Sequence, residues 1–220
     1  MITPLSTVAV AIATVAALTT TATPAFATGS CSIILPANVS IASSRTIITG
    51  TPASDCAASD MSDASWDVSP SDWGDSFWFS AGSLSDSYTF MTGVDSVGVL
   101  HAVPTGASSS GGINDLTQNN PAYVVKYATW AYVASSRVGS AVYINALVKN
   151  FSANDLVRGS ARSVYLQRYI GGVWQNMLVR TTSSTGQFTV GFIQPKVFQY
   201  RLLVTETSSA WGGRSGSTFR

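Results

Sequence analysis

Past residue 27 the chain alternates, and apolar residues at helical spacing are almost absent. Short β-branched and aromatic runs recur instead, separated by Gly, Ser, Asn and Pro. Successive side chains of a strand point to opposite faces, so Val142, Ile144, Ala146 and Val148 share one face and Tyr143, Asn145 and Leu147 the other. Val164 and Leu166 continue the pattern, and Gly171-Gly172 makes a hairpin turn between Tyr169-Ile170 and Val173-Trp174. Ser184-Thr185-Gly186 then turns the chain into Phe188 and Val190, and Tyr200, Leu202 and Val204 mark a last strand. Turns at this spacing predict an all-β sandwich.

The first half is less regular. Strands are expected at 33–41, 45–50, 65–68, 76–80, 87–91 and 97–103, with turn-rich segments at 55–63 and 70–75. The Ser-Gly run from Ser108 to Gly112 reads as a linker, yet Tyr123-Val124-Val125-Lys126-Tyr127 behind it is another strand. That strand either closes a first sandwich or opens a second.

The order of short motifs resembles a family. Tyr123 to Tyr127, the strand Val164-Tyr165-Leu166-Gln167-Arg168, the hairpin Gly172-Val173-Trp174, the turn Ser184-Thr185-Gly186-Gln187-Phe188 and the strand Tyr200-Arg201-Leu202 follow one another as in bacterial Ig-like modules of exported actinobacterial proteins. The resemblance covers residues 129–220 well, and Ala64-Ser65-Trp66-Asp67-Val68 more loosely resembles the companion amino-terminal module of such proteins. It implies two tandem Ig-like β-sandwich domains, 28–128 and 129–220, and favours the placement in which residues 123–127 close the first. It implies a fold and a compartment, and no single function.

Export is also read from the amino terminus. Val8 to Leu18 is an apolar stretch of 11 residues, too short for a bilayer span of about 20. Pro24 and then Ala25-Phe26-Ala27 follow, which places a signal-peptidase cut after Ala27 and makes 1–27 a signal peptide. No Lys or Arg precedes Arg45, so the usual positive start is reduced to the terminal amine. No later stretch is long and apolar enough to span a membrane, and the expected location is secreted, with association to the cell wall open. Cys31 and Cys56 are the two cysteines, and in an oxidising compartment they are expected to form a disulfide.

Charge is sparse at 10% of residues and sums to +1, but it divides unevenly. Residues 28–128 carry −7 and residues 129–220 carry +8. Such a chain is a poor nucleic-acid binder, because one half repels the phosphates that the other attracts. The halves are instead expected to attract each other, within a molecule or between molecules. Arg158, Arg162, Arg168, Arg180 and Arg201 fall on successive strands and can gather on one face to meet a wall phosphate or an acidic protein.

No phosphate loop, zinc motif or nucleophile elbow is present, and His101 is the single histidine. It shares a strand face with Val97, Val99 and Val103, where a partly buried, hydrogen-bonded histidine is expected. The leading expectation is a non-catalytic binding or structural protein, with no cofactor, whose partner is a protein or a cell-wall polymer. The alternative is a carbohydrate-binding module or a small hydrolase. It would use Trp66, Trp73, Asp67, Asp72 and Asp75, since aromatic faces stack on sugars and carboxylates accept from their hydroxyls. The carboxylates of 55–75 lack the alternating spacing of a calcium loop, so no metal is assigned. Tyr200 and Trp174 are assigned structural roles, Tyr200 as a tyrosine corner whose hydroxyl bonds nearby backbone.

Overall fold

The computed structural model describes residues 29–70, 74–154 and 156–220, whose regular secondary structure is almost entirely strand. In the first half the elements are β1 Gly29–Cys31, β2 Ile33–Ile34, β3 Asn38–Ile41, β4 Arg45–Pro52, the short helix α1 Ser54–Ala58, β5 Met61–Ser69, β6 Ser76–Ser80, β7 Asp86–Met91, β8 Gly98–Ser109, β9 Leu116–Gln118 and β10 Ala122–Tyr127. In the second half they are β11 Thr129–Val138, β12 Ala141–Asn150, β13 Arg158–Gly159, β14 Ser163–Ile170, β15 Val173–Thr181, β16 Gln187–Ile193, β17 Gln199–Val204, β18 Gly213–Arg214 and β19 Thr218–Phe219. The chain is an all-β protein of two Ig-like β-sandwiches in tandem.

In the first sandwich a sheet ordered β3-β10-β8-β5-β6 packs on the sheet β2-β4-β7. Period-2 alternation sends Ala64, Trp66 and Val68 of β5, Phe77 and Phe79 of β6 and Leu100 and Ala102 of β8 into one core with Ile48, Tyr88 and Phe90 of the opposite sheet. Two phenols join the sheets through that core: the Tyr88 and Tyr123 hydroxyls are 2.8 Å apart and hydrogen-bonded. Strand β10 runs parallel to β3 and antiparallel to β8, so residues 123–127 belong to the first sandwich.

Three local expectations are corrected. Pro36 and its neighbours interrupt 33–41 into β2 and β3. The turn-rich 55–63 contains α1, held by the Cys31–Cys56 disulfide to β1, and β5 already begins at Met61. Residues 108–112 are no linker: β8 runs to Ser109, where Asp115 accepts from the Ser109 amide at 2.7 Å and its hydroxyl at 2.6 Å, tying the turn back on itself.

In the second sandwich β11-β12-β16 faces β15-β14-β17-β18, with β19 also pairing to β17. Val142, Ile144 and Ala146 meet Leu166, Tyr200 and Leu202 across the core. The strand β11, which the sequence reading passed over, pairs with β12 along its whole length.

The halves meet through packing and backbone pairing. Beyond Val125, which pairs with Gly98 at the start of β8, Tyr127 bridges Ala210 of the second half. The Tyr127 amide donates to the Ser209 carbonyl at 2.9 Å and the Trp211 amide to the Tyr127 carbonyl at 3.0 Å. Phe151 is buried in the first core. On the second half's own side, the buried Arg162 donates to Thr129 Oγ1, Asn150 Oδ1 and the carbonyls of Thr205 and Trp211. An ion pair also crosses the junction, Lys126 to Glu206. Its polarity is the reverse of the expected attraction, because the cation belongs to the acidic half and the anion to the basic one.

Candidate functional site

The aromatic, acidic segment divides between core and surface by strand parity. Trp66 is fully buried opposite Phe77, its indole donating to the Asn119 carbonyl at 2.9 Å and its ring edge-on to Phe79 at 5.9 Å. It cannot reach a ligand, which corrects its assignment as a contact ring. Asp67, one residue on, is exposed on the outer face beside Ser76 and Val103. Asp75 is half-buried, and its carbonyl accepts from the Val68 amide at 2.8 Å. Asp72 and Trp73 lie outside the described residues. The exposed ring of this face is Trp78, 61% exposed opposite Ser65, flanked by the buried Phe77 and Phe79. Alternation already required one of these three rings to face outward; which one depended on the partner strand.

The remaining aspartates of the first half serve the fold. Asp55 accepts from the Ser30 hydroxyl and from both the amide and hydroxyl of Ser32, at 3.1, 3.1 and 2.7 Å. Asp86 accepts from the Trp78 amide at 2.7 Å, and Asp95 from the Met91 amide at 2.6 Å. Each of these three carboxylates accepts from a backbone amide, Asp86 and Asp95 close by in sequence and Asp55 across 23 residues, while Asp60 and Asp63 accept from the Ser110 and Ser62 hydroxyls. Among the described residues no three His, Cys, Asp or Glu side chains come together as a metal site. His101 is exposed on the outer face of the five-stranded sheet, because the face it shares with Val99 is the solvent face and not the core.

The arginines do not share one face. Arg162 is buried at the junction, Arg158 and Arg180 are exposed on β13 and β15, and Arg168 turns inward with its guanidinium 4.6 Å from the Phe198 ring centre. Arg201 alone among these five stands on the outer face of β15-β14-β17, and there it is held firmly. Its guanidinium lies 4.1 Å from the Trp174 ring centre, and its Nε donates to Gln167 Oε1 at 2.7 Å. Gln167 in turn donates to Asn176 Oδ1 at 2.8 Å, so one cross-strand row is locked from β15 to β17. Tyr169 packs on the same indole at 5.1 Å. Register sets Arg214, opposite Leu203, on the same face as Arg201, and burial and the Arg214 charge both lower the Arg201 pKa. The paired positions of this outer face, from Trp174 and Tyr169 to Tyr165, Leu203 and Arg214, include no carboxylate.

Trp174 is therefore a half-buried platform on the outside of the sheet. Tyr200 points inward and is fully buried against Phe192 at 5.7 Å, but its hydroxyl has no hydrogen-bond partner. The expected corner hydrogen bond is absent, and burial raises the Tyr200 pKa while the charges of Arg168 and Arg137 act to lower it.

No protein-family model matches the chain, and no curated protein matches it. Similar solved structures include the Yersinia pseudotuberculosis adhesin InvE, at 12% identity over 87% of this chain with a TM-score of 0.28. The chain spans 58% of that InvE chain. The D00-D0 domains of intimin match at 14% identity over 86% of this chain and 98% of theirs, with a TM-score of 0.27. A putative membrane-anchored protein from Corynebacterium diphtheriae matches at 13% identity over 80% of this chain and 54% of its own, with a TM-score of 0.31. Overlaps this loose carry neither ligand nor mechanism across, and the fold assignment rests on the strand pairing above.

Proposed function

We propose that the chain is a secreted, surface-associated binding protein without catalytic activity, exported by residues 1–27 and built from an acidic module over 28–128 and a basic module over 129–220. Its contact surface is the outer face of β15-β14-β17, and its partner is an anionic cell-wall polymer. The observation that carries this reading is Arg201, stacked on Trp174 and fixed by Gln167 beside Arg214, on strand rows whose paired positions hold no carboxylate. A guanidinium held in place before its ligand arrives loses little side-chain entropy on binding, and aromatic neighbours supply area on an otherwise flat sheet. Arg and Trp are also the residue types that concentrate binding energy.

Co-sedimentation of the mature protein with isolated cell walls tests this. Binding is expected to weaken as salt rises, since exposed charges are screened over about 10 Å at 0.1 M. Trp174→Ala with Arg201→Gln is expected to reduce it at least tenfold, roughly 1.4 kcal/mol. Undiminished binding by that double variant, or turnover of a wall component, overturns the reading.

A further inference from the structure

The opposite sheet of the second sandwich carries a second, chemically different surface. On its outer face the cross-strand rows of β11, β12 and β16 run Tyr132-Leu147-Gln187, then Ala134-Asn145-Thr189, then Ser136-Tyr143-Gly191. A cavity of about 290 Å³ lies over the first two rows. Its shape follows from the residue sizes: Ala134 leaves a depression in the middle of the face, and Tyr132, 52% exposed, stands as a wall above it. Within the depression Thr189 Oγ1 donates to Asn145 Oδ1 at 2.8 Å, which engages the oxygen of this exposed lining amide and leaves its nitrogen as a donor. Gln187 adds a second exposed amide.

This half of the chain carries a net +8, yet no charged residue occupies any of these three rows or Val138-Ala141-Ile193 beyond them; Lys149, paired with Trp130, stands one row outside the cavity on the other side. The Tyr143 ring lies across Gly191, where a Cβ would come within 3.1 Å of it, so the missing side chain is what lets the ring lie down. Tyr143 stands four residues from Leu147 along β12, roughly 13 Å away, and supplies a second flat ring beyond the cavity.

We propose that this groove binds a neutral pyranose unit of an extracellular glycan. The apolar face of the sugar ring lies on Tyr132, its hydroxyls meet Asn145, Thr189 and Gln187, and the glycan continues toward Tyr143. An aromatic wall with convergent amide and hydroxyl groups matches a ring that is apolar on one face and hydroxylated at its rim. The absence of charge matches a neutral sugar and mismatches the anionic partner of the Trp174 face, so this inference does not rest on that reading.

The test is isothermal titration calorimetry of the whole mature chain with neutral hexasaccharides of glucose, galactose, mannose and N-acetylglucosamine. At least one is expected to bind, with the same affinity at about 0.05 and about 0.5 M NaCl because no charge is engaged. Tyr132→Ala is expected to weaken that binding at least tenfold, and Ala134→Arg, at an exposed position, to abolish it by filling the depression without changing the melting temperature. Trp174→Ala is expected to leave it intact, which separates failure here from failure of the wall-polymer reading. The proposal is overturned if none of the saccharides binds, if Ala134→Arg binds as the unsubstituted chain does, or if the groove proves to be a contact between two copies, seen as a dimer that Ala134→Arg dissociates.

Discussion

The indole Nε1 of Trp211 donates to the carbonyl of Val39, 172 residues earlier, at 2.9 Å. The same ring lies 5.1 Å from Lys126 Nζ, so one side chain of the second half contacts β3 by hydrogen bond and β10 by its face. The attraction expected between an acidic and a basic half is thus replaced by a wedge.

Trp211→Ala is expected to cost about 2–3 kcal/mol, below the roughly 3–5 kcal/mol for removing a fully buried large aromatic, because the ring is only half-buried. Differential scanning calorimetry is expected to show a single transition for the natural chain and two separated transitions for the variant. Two transitions in both proteins would show that the wedge does not couple the halves.

Arg162 braces the second half from within, tying Trp211 to Thr129, Asn150 and Thr205, and burial lowers its pKa. It bonds uncharged oxygens, with no carboxylate among its recorded partners. Arg162→Met removes donors from several buried acceptors at once and is expected to destabilise the fold by about 3 kcal/mol in urea unfolding.

The Cys31–Cys56 bridge closes 25 residues and holds β1 to α1. Reduction, or paired Cys31→Ala and Cys56→Ala, is expected to lower unfolding free energy by about 3 kcal/mol in the chain-entropy account. Urea titrations with and without reductant measure this directly.

The Tyr88–Tyr123 pair makes stability fall in alkali. Burial pushes the Tyr123 phenol up to about 12 and the Tyr88 phenol higher still, against an ordinary value of 10.0. A raised folded pKa gives stabilisation that is complete below the unfolded value and is lost as pH climbs past it, so unfolding is expected to ease above about pH 10. Tyr123→Phe strands a buried hydroxyl and should cost about 1–2 kcal/mol, while Tyr88→Phe with Tyr123→Phe should cost less than that single change. A double variant weaker than the single would refute the pairing.

Asp55 acts at the other end of the scale. Burial raises its pKa, but the Ser32 and Ser30 hydrogen bonds lower it further, leaving it below the ordinary 3.8. A depressed folded pKa gives stabilisation present above the unfolded value and lost as pH falls through the folded one. Asp55→Asn should therefore flatten the loss of stability between about pH 4 and pH 2, measured by acid titration of the circular dichroism signal.

Much of the architecture could be read before any coordinates, because it follows from local rules. Alternation over Val142 to Val148 made a strand with those four residues on one face, Gly171-Gly172 made the hairpin, and the two cysteines made the bridge. What escaped was whatever depends on the register of a distant strand. Trp66 and Trp78 are both tryptophans among aspartates and serines, yet pairing places one opposite Phe77 in the core and the other opposite Ser65 in solvent. His101 was put on the correct face, but nothing local says which face a neighbouring sheet will cover.

Period, turn residues and cysteine count are properties of a few adjacent residues, and they were enough to establish an all-β chain of sandwiches with one bridge. Contact surfaces are properties of strands brought together from far apart. Arg201 becomes a fixed cation only when β14 carries Gln167 and β15 carries Trp174 alongside it, and the groove beside Tyr132 exists only because Ala134, Asn145 and Thr189 fall into one row. The charge split of −7 and +8 was correct as arithmetic, but it did not foretell how the halves join. Charges in water attract weakly and are screened, while a half-buried indole with a hydrogen-bond partner in the other half defines a single geometry.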